Sequence, residues 1–217
     1  MQENKAKRIS MKAIRKEEIM KAALTVLSER GSANITLDDI AKASGFSKGG
    51  ITYYYSSKET LIKDVFEYFF SYVWERGHEK IRHNIPPLDK LLDFSWLYDE
   101  DDEQTQKIYP LLFDILVLST YNKMYRESFQ NWVGKWVNIA LPIIEEGRAC
   151  GDFQIEDVKG AAQLISATAQ GIGIRWYLDR DHHTTEWAVK AFRHAVITTL
   201  NYKGAGAPLA GTFIDHE

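Results

Sequence analysis

The stretch Ile35-Thr-Leu-Asp-Asp-Ile-Ala-Lys-Ala-Ser-Gly-Phe-Ser-Lys-Gly-Gly-Ile-Thr-Tyr-Tyr-Tyr-Ser-Ser-Lys-Glu-Thr-Leu61 decides the fold. Thr36, followed three residues later by Asp39, reads as a capping arrangement in which two side chains satisfy the first amides of a helix. Ile35 before the cap and Ile40 beyond it supply a hydrophobic staple, so a short helix is predicted from Leu37. Gly45 offers the permissive backbone that a tight turn needs, and Ser47 can then cap a second short helix. Leu37, Ile40, Phe46 and Ile51 would pin the two helices together, with Ala41 small where they cross. This is a helix-turn-helix.

Such a unit reads DNA when short and polar groups stand at the start of its second helix, where amides meet phosphate and side chains meet base edges. Lys48, Gly49, Gly50, Thr52, Tyr53 and Tyr54 occupy that region. The two glycines leave a flat face that could approach the major groove closely, at some cost in helix propensity. Ser56 and Glu59 form another capping pair, and Lys58 falls in the first turn of the next helix, suited to a phosphate. Tyr55 should point inward.

Helical periodicity continues in both directions. Ile19, Ala22, Ala23, Val26 and Leu27 recur at helix spacing, and Gly31 follows Arg30 where a left-handed cap would sit. Leu61, Val65, Phe69 and Val73 form an i, i+4 stripe, and Pro86-Pro87 ends that run. Similar stripes fill 109–118, 132–144, 158–178 and 187–200. No two-residue alternation of a strand is visible, so the chain reads as all-α.

Thr36, Ile40-Ala41, Ala43, Gly45-Phe46-Ser47, Gly49, Ile51, Tyr53, Tyr55, Ser57-Lys58-Glu59 and Leu61 together resemble the signature of the TetR/AcrR family of bacterial one-component transcriptional regulators. The resemblance runs from Lys12 to Phe70. It implies that Thr36, Lys48, Tyr53 and Lys58 mainly contact backbone phosphates, and that Lys48, Gly50, Thr52 and Tyr54 lie where family members reach bases. Ser47 and Gly49 complete the expected DNA-binding set. Family members often carry Thr or Ser where Gly50 stands, Tyr where Thr52 stands and His where Tyr54 stands. The resemblance further implies an N-terminal three-helix helix-turn-helix domain followed by a larger helical ligand-binding and dimerisation domain. The expected division is 1–11 a disordered basic arm, 12–60 the DNA-binding domain, 61–202 the ligand-binding and dimerisation domain, and 203–217 a flexible tail.

Charge agrees with that division. The 217 residues carry 27 Lys and Arg against 30 Asp and Glu, a net charge of −3, with 45% hydrophobic residues. That profile excludes a disordered, collagen-like or disulfide-stapled chain. Residues 1–60 hold 11 basic against 7 acidic side chains, and the remainder 16 against 23, so the front end suits a polyanionic partner. Cys150 stands alone, which excludes an intramolecular disulfide or a multi-cysteine zinc cluster and suggests a small buried hydrophobe. No segment is long and apolar enough for a bilayer, and the first twenty residues show no secretory pattern, so a cytoplasmic location is expected.

In the acidic remainder, the stretch from Ile143 to Phe153 resembles the helix end and turn that precede the penultimate helix of these regulators. Gly160, Ala161, Ala162, Ser166, Ala167, Ala169, Gly171 and Gly173 then form a small-residue helix face. With the last helix it could build a four-helix homodimer interface. Two heads would thereby meet successive major-groove faces of one double-stranded operator. Tyr109, Phe113, Trp132, Trp136 and Trp176 could wall a pocket for a small-molecule effector, either apolar or a cation held by ring faces. The bland reading of the same rings is core packing.

Three further patterns compete with these readings. Gly45-Phe-Ser-Lys-Gly49 matches the G-x-S-x-G nucleophile elbow, so a serine hydrolase is the rival function. That elbow needs a strand before the serine, where a capped helix is predicted instead. Asp179, Asp181, His182 and His183 could nominally ligate a metal. The acidic run from Asp99 to Glu103 reads as a solvated loop. No catalytic residue, cofactor or metal is assigned. The expected function is a DNA-binding regulator, a repressor released from its operator by a small molecule.

Overall fold

The computed structural model describes residues 2–80, 82 and 84–204, the side chains of 2–10 and 80 excepted. Its elements run α1 (Gln2–Arg30), a 3-10 turn (Ser32–Asn34), α2 (Leu37–Ser44), α3 (Lys48–Tyr54), α4 (Lys58–Lys80) and α5 (Pro87–Leu92). A second 3-10 segment (Asp93–Tyr98) leads to α6 (Glu103–Tyr121), α7 (Lys123–Ala149), α8 (Val158–Leu178) and α9 (Thr185–Thr199). Among the described residues the only extended pairing is one isolated bridge, Phe153 with Tyr202. The all-α reading therefore holds. No described helix is long and apolar enough to cross a membrane.

The chain packs as two compact units. The first takes the chain up to Tyr72 together with Pro110–Gln130; the second takes Val73–Tyr109 and the chain from Asn131. In the first unit, α1 buries Ile19, Ala23 and Leu27, α2 buries Ile40 and Ala41, α3 buries Ile51, and α4 buries Leu61, Val65 and Phe66. Full burial of such aliphatic and aromatic side chains contributes about 1.5–3 kcal/mol each. Asp114 of α6 accepts the Ser32 amide at 2.6 Å, and burial of that carboxyl pushes its pKa up against the pull of the same hydrogen bond. In the second unit, α8 and α9 pack together around Trp176, Phe192 and Val196. The Trp176 ring nitrogen donates to Thr185 Oγ1 at 3.0 Å. Lys90 is buried and its charge is met by Glu146 at 2.7 Å, which relieves the cost of taking an ammonium out of water.

The expected capping box is present. The Thr36 side chain accepts from the Asp39 amide at 3.2 Å, while the Asp39 carboxylate accepts from the Thr36 amide at 2.8 Å. Ile35 and Ile40, the two halves of the staple, are 2% and 0% exposed. Arg30 at the end of α1 ties this start down, reaching Asp39 at 3.2 Å and the Asn34 carbonyl at 3.0 Å. Gly45 ends α2 in the left-handed conformation, φ 72° and ψ 11°, and Ala41 O accepts the Phe46 amide at 3.1 Å. Few residues other than glycine take up that backbone shape.

Several expectations need correction. Gly31 has the expected positive φ of 72°, but its ψ of 155° is extended rather than left-handed, because the chain leaves α1 directly into the 3-10 turn. α4 is capped by Ser57, not Ser56: Ser57 Oγ accepts the Thr60 amide at 3.2 Å, a register that buries Leu61 and Ile62. Pro86-Pro87 opens α5, with proline in the first turn where its missing N–H costs nothing, rather than ending α4. Cys150 is exposed, just past the end of α7. α1 is helical from Gln2, where a disordered arm was expected over 1–11; the stretch holds no proline or glycine to stop it. The tail expected over 203–217 lies outside the described residues from 205 onward.

The Asp39 carboxyl is held down at about 2, first by the Thr36 hydroxyl, then by the Thr36 amide, then by Arg30. Its folded value lies below its ordinary 3.8, so its stabilising effect is complete above that pH and is lost as the pH falls through about 2. Replacing Thr36 with Ala should lower stability to urea by about 1 kcal/mol. The same change should move the Asp39 carboxyl titration, read by NMR, upward toward its ordinary range.

Candidate functional site

Two turns of chain present the candidate nucleic-acid face. Thr36, Ser47, Lys48, Gly49, Thr52 and Tyr53 are exposed, while Gly50, Tyr54 and Lys58 are half-buried. Ser47 Oγ accepts the Gly50 amide at 3.1 Å and so starts α3 at Lys48. Thr52 Oγ1 donates to the Gly49 carbonyl at 3.2 Å, which folds its hydroxyl back on the helix. Tyr53 is 71% exposed and meets Tyr54 edge-to-face at 5.0 Å. Tyr55 points inward as expected, 3% exposed.

The two lysines differ. Lys48 is paired with Asp38 at 2.9 Å on the surface, a contact of small net worth that a phosphate could displace. Lys58 Nζ instead donates to the Ile35 carbonyl at 2.7 Å, so one of its three N–H groups ties α4 to the start of α2. Two basic residues that the sequence reading did not select stand beside α3: Lys12 lies over the Tyr53 ring at 5.7 Å and Arg15 over the Phe46 ring at 5.7 Å. Their i, i+3 spacing on α1 was the available signal. The exposed hydroxyls of Thr36, Ser47 and Thr52 stand with Lys48, Lys12 and Arg15, a set of donors that suits a phosphate backbone beside base edges.

The G-x-S-x-G match has a different origin. Ser47 is a helix cap, preceded by α2 and a turn rather than by a strand. The strained strand-to-helix elbow that would activate a serine is not built here.

The aromatic residues proposed for an effector fall into separate groups. Tyr109 and Trp176 meet at 5.4 Å in the second unit, with Tyr177 stacked on Tyr109 at 5.2 Å. Their polar atoms are engaged: Tyr109 donates to the Leu97 carbonyl at 2.8 Å, and Trp176 donates to Thr185. A Cβ at Gly173 would fall 2.3 Å from the Tyr109 hydroxyl, so the glycine is what lets this ring lie against α8. Trp132 and Trp136 form a second group in that unit, perpendicular at 6.5 Å, with Phe94 edge-on to Trp136 at 5.4 Å. Phe113 is half-buried and belongs to the first unit.

Trp74 and His78, which the sequence reading passed over, join the second group. Their rings stack at 4.8 Å one turn apart on α4, and Gly77 between them lies against Phe94 and Trp136. The Asp179 carboxylate engages both neighbouring imidazoles, His182 at 2.8 Å and His183 at 3.1 Å. That hydrogen bond raises the His182 pKa and lowers that of Asp179. Among the described residues no group of three or more His, Cys, Asp or Glu could hold a metal ion.

Comparison with known proteins adds an independent line. A family model described as bacterial regulatory proteins, tetR family, matches residues 19–65. The HTH-type transcriptional repressor KstR2 of Mycolicibacterium smegmatis is 26% identical over 176 residues, covering 77% of this chain and 82% of its own. Among solved structures, the tetR-family transcriptional regulator of Cytophaga hutchinsonii superposes with a TM-score of 0.77 at 19% identity, over 87% of this chain and 96% of that one. A protein described as a transcriptional regulator from Saccharomonospora viridis, solved in complex with choline, gives a TM-score of 0.77 at 18% identity, over 84% and 95%.

A Cβ added at Gly49 would meet only Ser47 Oγ, at 4.0 Å. Replacing Gly49 with Ala should therefore stabilise α3 by about 0.5–1 kcal/mol through helix propensity, seen as a raised midpoint of urea unfolding. The new methyl would stand on the exposed face, so DNA affinity should fall in the same variant.

Proposed function

We propose that this chain, which belongs to the tetR family of bacterial regulatory proteins, is a ligand-responsive DNA-binding regulator, a homodimeric repressor released from its operator by a small molecule. The observation that carries this reading is the exposed face of α3, with Gly49, Thr52 and Tyr53 open to solvent and Lys48, Lys12 and Arg15 beside them. Thr36, Ser47, Lys48, Gly49, Gly50, Thr52, Tyr53, Tyr54 and Lys58 are the proposed DNA-binding residues. Residues 12–60 would act as the reading head, with ligand binding and dimerisation in 61–202. Double-stranded DNA as partner puts the work of the protein in the bacterial cytoplasm.

A stripe on α8 supports dimerisation. Leu164 is 54% and Leu178 65% exposed, Ala167 and Gly171 between them are exposed, and a Cβ at Gly171 would meet nothing within 4 Å. These positions follow the three- and four-residue steps of one helix face, so a second copy could pack there closely. The choline complex of the Saccharomonospora viridis protein supports a small-molecule effector, and the repressor name of KstR2 supports the sign of regulation. An effector releases DNA only by preferring a conformation whose heads fit the operator less well, and the weakening equals that preference in free energy.

Mobility-shift titration against DNA fragments from the chain's own gene neighbourhood should find one fragment bound despite nonspecific competitor, more weakly at higher salt. Lys48→Ala should weaken binding to every sequence and reduce the salt slope by about 1. Binding to no fragment, and to no member of a randomised DNA pool, would remove the proposal. Replacing Leu164 and Leu178 together with Glu should give a monomer by light scattering and abolish tight operator binding; a dimer in that variant would place the interface elsewhere.

A further inference from the structure

The positive balance of residues 1–60 is not spread evenly. Residues 1–16 hold six basic side chains against Glu3 alone, whereas 17–60 hold five against six. α1 is one helix from Gln2, so this excess sits on a helix continuous with the packed part of the head. Lys5, Arg8, Lys12 and Arg15 follow one another by three, four and three residues, which at about 100° per residue places them in one sector about 80° wide. Ile19, Ala23 and Val26 continue the same sector and are buried. One face of α1 is thus core from Ile19 onward and basic before it.

The basic part of that face borders α3. Lys12 and Arg15 are exposed, and their contacts with the Tyr53 and Phe46 rings put them beside the last turn of α3 and the turn that precedes it. Among the described residues neither forms an ion pair. Lys16, at the edge of the sector, pairs with Asp64 at 2.5 Å. Other helical lysines are matched four residues away: Lys21 by Glu17, Lys63 by Glu67, Lys123 by Glu127 and Lys190 by Glu186. Arg8, Lys12 and Lys16 stand at that same spacing with no acid among them, and like charges so placed repel along a helix. Packing has no use for this repulsion, and a polyanion laid along the face would relieve it.

We propose that the face of α1 carrying Lys5, Arg8, Lys12 and Arg15 is a second DNA-binding element, which lies against the sugar-phosphate backbone beside the major groove that α3 enters. Lys12 and Arg15 bind the phosphates next to α3, and Lys5 and Arg8 bind those further out. From the rise per residue the face is about 15 Å long, and four phosphates of one strand cover about 10 Å of duplex axis. Such contacts add affinity and lengthen the covered site without reading sequence. This inference rests on the reading of α3 as the DNA-reading helix and adds a surface that α3 does not supply.

The test uses the full chain and the operator fragment found by mobility shift. One variant joins Lys5→Gln to Arg8→Gln, a second joins Lys12→Gln to Arg15→Gln, and Lys7→Gln is the control, since Lys7 stands about 120° from the centre of the sector. Each pair should make the salt dependence of operator binding shallower by about 2 per protomer, and Lys7→Gln should leave it unchanged. Hydroxyl-radical footprints should shorten at the outer edge of each half-site in the Lys5 and Arg8 variant, while guanine N7 interference inside it persists and shows that the variant folds. Wild-type slope and footprint in both pairs, or an equal loss in Lys7→Gln, would overturn the proposal and leave α3 in its groove. Binding of the full chain to vesicles of anionic lipid, lost in the same pairs while operator binding is unchanged, would give the face to a membrane surface instead. A chain that binds no DNA at all would remove both readings.

Discussion

Gly45 holds a backbone conformation that costs a side-chain-bearing residue roughly 1 kcal/mol or more, and the arrangement of α2 and α3 follows from it. Because the chain reverses there in one residue, Ile40 and Ile51 can share one core while Ser47 starts α3 on the surface. The capping box at Thr36 and the Arg30 contacts fix the other end of α2. What remains exposed on α3 is small or hydroxylated, and the head needs that surface to meet a polyanion at close range. Stability and function diverge at Gly49, where a better helix former would strengthen the fold and obstruct its proposed use.

The second unit shows a complementary economy of polar groups. Around Tyr98, Tyr109 and Trp176 every named hydroxyl and indole nitrogen is matched, as a permanent core requires. Around Trp74, His78 and Trp96 it is not. Composition cannot distinguish these two aromatic groups, since both are built from the same residue types at helical spacing.

Sequence alone was most informative where the determining contacts are local. The Thr36 box, the Ile35 and Ile40 staple, the Gly45 turn and the Ser47 cap all act within a few residues, and all were legible. Lys58 was read correctly as lying in the first turn of α4, but its bond to the Ile35 carbonyl joins groups 23 residues apart and left no local trace. The Ser57 cap was misplaced by one position because burial of Leu61 and Ile62, not the serine spacing, sets the register. Asp114 meets Ser32 across 82 residues, and Gly77 admits Phe94 and Trp136 from other elements. Such tertiary pairings are invisible to periodicity.

The central claim is that α3 enters a major groove. Methylation interference on the bound operator tests it directly, because guanine N7 lies in the major groove and adenine N3 in the minor groove. The account predicts interference at guanine N7 in two clusters about one helical turn, or a multiple of one, apart, as a two-headed protein requires. Interference confined to adenine N3, or a single cluster at saturating protein, would contradict it.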